Sequence, residues 1–175
     1  MPFILRKIRK ARWYKDAHPW LKTGELQADA LRDLKTDENV LSVWQILDDK
    51  SNLERVVTAL ATTADNICNL DFALLNIEVL SRLGIEAKTT PGTSRDASAN
   101  RWHLELTELS ANKVLGLAHA LSELGERERV PEPRVLELIT KSVIAGDIEK
   151  TGLRFKERDM TRIEGLRATM ESSSS

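Results

Sequence analysis

The chain has 175 residues, 41% hydrophobic and 30% charged, with a net charge of −1; this ordinary globular balance excludes a wholly disordered chain. No apolar run approaches the roughly 18 residues that span a bilayer, and lysine and arginine interrupt Phe3-Ile4-Leu5 too soon for a signal-peptide core. A single cysteine, Cys68, can form no internal disulfide and offers no ligand cluster, so a cytoplasmic protein without membrane contact is expected.

The small net charge hides an asymmetry. Residues 1–22 carry seven Lys/Arg (Arg6, Lys7, Arg9, Lys10, Arg12, Lys15, Lys22) against Asp16 alone, giving +6, so the rest of the chain carries −7. Such a basic arm either meets an anion or folds against its own acidic body. Within it, residues 3–8 are read as an edge strand, followed by the aromatics Trp13, Tyr14 and Trp20. Gly24 closes the stretch.

Leu26, Ala30, Leu31 and Leu34 fall on one helical face over 25–34. A polar turn, Thr36 to Asn39, then leads into the apolar run 40–47 (Val40, Leu41, Val43, Trp44, Ile46, Leu47), which suits a buried strand. Ser51 and Glu54 have capping-box spacing. After them Leu53, Val56, Val57, Leu60, Ala61 and Ala64 repeat at helical spacing, predicting an amphipathic helix over 51–64. Residues 70–77 form a second short apolar run, again a buried strand. A turn or two of helix over 78–83 is stopped by Gly84.

Lys88 to Asn100, with Pro91-Gly92, reads as the longest loop. Residues 102–107 alternate, with Trp102, Leu104 and Leu106 on one face and His103, Glu105 and Thr107 on the other: a half-exposed strand. Ser110 is a cap for a helix carrying Val114, Leu117, Ala118, Leu121 and Leu124. Glu126 to Arg129 reads as a charged link. A helix at about 133–145 follows, with Val135, Leu136, Ile139, Val143 and Ile144 on its face. Asp159 is the cap for a last helix along Met160, Ile163, Leu166 and Met170.

The pattern divides into a basic arm (1–24), a core (25–146), a charged carboxyl-terminal segment (147–171) and a disordered serine tail (172–175). The predicted fold class is α/β (or α+β), a single compact domain. A three- to four-stranded mixed sheet carries about five helices, with strands 40–47 and 70–77 at its centre. Parallel or mixed pairing is expected because the chain between strands is long enough for crossovers.

Chemistry is sparse. None of the eight glycines forms a dinucleotide-binding or P-loop pattern. His18, His103 and His119 are too scattered for zinc, so no metal and no cofactor is expected. Asp48 and Asp49 at the end of the central strand, with Asp71 and Glu78 near the next, have oxygen ligands for a divalent cation. Acidic residues are equally at home before a helix amino terminus, and that reading is preferred. His103 and Glu105 share a face, which alternation alone explains. Cys68 reads as a small hydrophobe near the core, and His119 as a residue at its boundary. Enzymatic function receives little support.

The basic arm is the one informative constellation. Arg6, Lys7, Arg9, Lys10, Arg12 and Lys15 suit phosphates or an acidic partner, and Trp13 and Trp20 suit stacking or anchoring. The reading is a non-catalytic protein-interaction protein, an accessory or regulatory subunit, contacting another protein through this arm or the carboxyl-terminal helix. Nucleic-acid binding by the arm is the alternative, and a metal-dependent enzyme stands third.

Overall fold

The computed structural model describes residues 1–13, 19–22 and 24–173. Six strands form one sheet: β1 (Phe3–Lys7), β2 (Leu41–Ile46), β3 (Leu70–Asn76), β4 (Glu86–Thr89), β5 (His103–Thr107) and β6 (Glu126–Val130). Their order is β4-β5-β2-β1-β3-β6, and every neighbouring pair is antiparallel. Among the described residues five α-helices accompany them: α1 (Leu53–Ala61), α2 (Glu78–Arg82), α3 (Ala111–Glu123), α4 (Glu132–Ile144) and α5 (Glu157–Ser173). Among the described residues no helix is long and apolar enough to cross a membrane.

The fold is therefore α+β with a six-stranded antiparallel sheet, and the expected three- to four-stranded mixed sheet is corrected. The reason lies in β1. Strands β2 and β3 both run antiparallel to β1, hence parallel to each other, and α1 joins them as a crossover. But Phe3 of β1 sits opposite both Ile46 and Asn76, so β1 fills the place between them. Connection length sets the relative direction of two strands, not whether they are neighbours.

The two strands that sequence reasoning missed are the sheet edges. Every residue of β4 is exposed, so Glu86–Thr89 carries no burial pattern to detect. In β6 the expected charged link, Glu-Arg-Glu-Arg, is a strand whose arginines bond inward to β3 and the arm. Alternating charge of this kind is one way an edge strand such as β6 avoids unwanted pairing.

Side chains alternate across the sheet and fill two cores. Leu5, Trp44, Ile46, Phe72 and Leu74 face α1, α4 and α5, joined by Ile148, Leu153, Phe155 and Ile163. Ile4, Leu41, Val43, Leu75, Leu104 and Leu106 face α2 and α3 on the other side, where Trp13 and the 3-10 segment Ala28–Leu34 also pack. That segment keeps Ala30 and Leu34 buried, though as a 3-10 turn and not the α-helix expected. Successive buried apolar residues, Ile4–Leu5, Val43–Trp44 and Phe72–Leu75, thus mark burial on both faces.

Local signals fared unevenly. Glu38 and Asn39 both adopt positive φ in the expected turn, with Asp37 bridged to Val40, the hairpin geometry that asparagine favours. Ser110 caps α3 by accepting the Lys113 N–H. The Ser51–Glu54 capping box does not form. Buried Asn52 takes its place: Oδ1 accepts the Leu47 N–H at 2.9 Å and Nδ2 donates to the Gln45 carbonyl at 3.0 Å, closing the β2–α1 turn. Glu54 pairs instead with Arg134 of α4. Asp159 lies inside α5, not at its cap, and accepts the buried Ile67 N–H at 3.0 Å. Trp102 ends a 3-10 turn and packs on the α1 side, away from Leu104 and Leu106.

Candidate functional site

The arm folds onto the body around one carboxylate. Asp33, at the end of the 3-10 segment, accepts the Arg9 backbone N–H at 2.8 Å, the Arg12 guanidinium at 2.8 Å and the Trp13 indole N–H at 2.8 Å. Its backbone carbonyl accepts Arg6 Nε at 2.7 Å, and Arg6 Nη1 reaches the Ser42 carbonyl at 2.7 Å. Burial pushes the Arg6 pKa down, and the nearby Asp33 charge opposes that. Trp13 is 3% exposed, and its carbonyl accepts Arg127 from β6. The Lys10 backbone N–H donates to Asp71, which Arg129 also grips through two hydrogen bonds at 2.6 and 3.0 Å.

The candidate residues divide accordingly. Arg6, Arg12 and Trp13 turn toward the body; Lys7 and the Arg9 side chain are exposed. Lys10 is partly buried beside Asp71. Lys15, with Tyr14 and His18, lies outside the described residues. Trp20 is 66% exposed.

Trp20 walls a groove of about 520 Å³ that sequence reasoning missed. Leu26 and Leu31 come to it from the chain around the 3-10 segment, and Leu115 and His119 from α3, where they stand one helical turn apart. Leu115 is 43% exposed. Gln27 lines the same groove, with its Oε1 buried and accepting no hydrogen bond. The available signal was α3 itself: Leu115 lies off the stripe of Leu117, Ala118 and Leu121 that faces the sheet.

The metal candidates are not brought together. Asp48 and Asp49 follow β2 at the end where Ile46 and Asn76 meet Phe3, whereas Asp71 opens β3 at the opposite end of the sheet. Asp48 pairs with the Met1 amine at 2.7 Å, Asp49 accepts the Ser51 N–H, and Asp71 holds Arg129. Among the described residues no group of three or more His, Cys, Asp or Glu converges. His103 stacks edge-on against Trp44, with Nδ1 3.0 Å from the Thr90 hydroxyl. Cys68 is exposed, contrary to its reading as a near-core hydrophobe, and His119 is exposed too.

A second buried carboxylate organises the loop before β5. Asp96, fully buried, accepts from the Ser98 N–H and hydroxyl, the Ala99 N–H and Arg55 Nε. Arg55 also holds Asp147, and although burial opposes its charge, these two carboxylates raise its pKa. Both Asp96 oxygens are satisfied, which fits a structural tie. No family model, curated protein or solved structure matches this chain.

Proposed function

We propose that this chain is a non-catalytic interaction protein, an accessory or regulatory subunit, that docks another protein over the groove beside Trp20. The observation that carries the reading is the exposure of Trp20 (66%) and Leu115 (43%) around that one groove. Tryptophan is the residue most often found anchoring an interface, and its large apolar area is otherwise kept from water.

Affinity capture from the native cell, with the intact chain and with Leu115→Glu, tests the reading. A protein recovered in stoichiometric amount by the first and lost with the second is the expected result. Identical captured sets would remove the groove from consideration.

Nucleic-acid binding by the arm is the second reading, favoured by the exposure of Lys7 and Arg9. Arg6 and Arg12 are engaged with the body, which leaves a narrow cationic face for phosphates. A metal-dependent reaction gains nothing from Asp48, Asp49 and Asp71 in their separate places.

A further inference from the structure

We infer that two copies of the chain pair edge to edge through β4, continuing the sheet across a two-fold axis at Ala87. This inference is independent of the groove at Trp20. Strand β4 pairs with β5 alone, and all four of its residues are exposed.

The ladder fixes which backbone groups point outward. The Thr90 N–H donates to the His103 carbonyl at 3.3 Å, and in the same register Lys88 faces Glu105 and Glu86 faces Thr107. Hydrogen bonding alternates along an antiparallel strand, so Glu86, Lys88 and Thr90 bond toward β5. Ala87 and Thr89 direct their N–H and C=O groups to the open edge.

An open edge accepts any strand whose side chains agree with it, and here the agreeing strand is the chain's own. With the axis at Ala87, that residue faces its own copy and exchanges two hydrogen bonds with it. The Thr89 N–H meets the Ile85 carbonyl of the second copy, and the Ile85 N–H is already used by Leu80 at 2.9 Å. Glu86 then stands opposite Lys88 of the second copy, and Lys88 opposite its Glu86. These fall at non-hydrogen-bonded positions, where side chains approach most closely and opposite charges contribute most. Shifting the axis to Lys88 opposes two lysines, and shifting it to Thr89 sets Ala87 against Pro91, which has no N–H to donate.

The other edge forbids the same pairing. Strand β6 alternates Glu126, Arg127, Glu128 and Arg129. An axis at Arg127 sets Arg127 against itself and Glu126 against Glu128, an axis at Glu128 sets Glu128 against itself and Arg127 against Arg129, and both arginines already reach inward. One edge is self-complementary and the other self-repelling, which stops growth at two copies.

Sedimentation of the full chain over a concentration series tests this, using Glu86→Lys, Lys88→Glu, the double swap and Ala87→Pro. The wild type is expected to show a monomer–dimer equilibrium. Each single reversal should weaken it about tenfold or more, equivalent to about 1.4 kcal/mol, and the double swap should restore it. Ala87→Pro should abolish dimer while circular dichroism stays native, since its N–H faces away from β5. A wild type that stays monomeric throughout, or single reversals that dimerise as the wild type does, would overturn the inference. A double swap no better than the singles would also overturn it.

Discussion

The indole N–H of Trp13 donates to Asp33 at 2.8 Å, tying the arm to a residue 20 positions later in the chain. The same carboxylate takes Arg12 and the Arg9 backbone, so one side chain gathers Arg9, Arg12 and Trp13. Asp33→Ala therefore strands a buried indole and a largely buried guanidinium. It should cost about 2–4 kcal/mol in urea melts, with a shift in tryptophan emission toward that of exposed indole. Arg9→Ala, which removes an exposed side chain, should stay within about 0.5 kcal/mol. Equal small effects would show that the arm is not closed through Asp33.

The turn into α1 separates two adjacent residues. Ser51 is exposed and caps nothing, so Ser51→Ala should change stability by less than about 0.5 kcal/mol. Asn52→Ala leaves the Leu47 N–H and the Gln45 carbonyl without their partners and should cost about 1–3 kcal/mol. Truncating Val43, Val57 or Leu60 to Ala should cost up to about 2–5 kcal/mol for the larger side chains by cavity formation. Denaturant midpoints for the set give the ranking directly.

Acid should loosen the sheet edge and α5 together. Arg129 hydrogen bonds, with the Lys10 N–H, hold Asp71 below the ordinary aspartate range. Burial would raise Asp159, but the Ile67 N–H and Arg162 outweigh it and the net shift is downward. A carboxylate whose folded pKa is depressed stabilises the fold above its unfolded value of about 3.9. That contribution falls away as pH drops through the folded pKa. Stability should therefore hold from neutral pH to about 5 and decline below about 4. Asp159→Asn, which cannot ionise, should flatten the decline; an unchanged pH profile would speak against this assignment.

If the arm meets nucleic acid at all, its salt response must be shallow. Among the described residues Lys7, Arg9 and Lys22 are its exposed cations, which sets a slope of log affinity against log salt of about 3 for duplex DNA. Fluorescence anisotropy at two salt concentrations measures it. A slope of 5 or more would mean that Arg6 and Arg12 leave the body.

Burial was legible in this chain, and neighbourhood was not. The runs at Leu41–Ile46 and Leu70–Asn76 announce themselves by apolar residues, and α1, α3 and α4 by spacing. Nothing in Phe3–Lys7 tells that it lies between them, because strand order is decided by long-range pairing. Strands β4 and β6 were hidden for a different reason: edges are built from charged residues, which also build loops. The arm's excess charge was plain. Its main destination, Asp33, was one acidic residue among 27 and had no distinguishing pattern. The groove at Trp20 joins α3 to the chain around the 3-10 segment and so belongs to tertiary packing.

Site-specific photo-crosslinking in the native cell tests the interaction reading most directly. A photoreactive residue placed at Leu115, in the groove, is compared with one at Arg158, whose side chain is 79% exposed elsewhere. A discrete crosslinked partner at position 115, absent at 158 and lost with Trp20→Ala, is the result this account predicts. No crosslink at 115, or the same products at both positions, would contradict it.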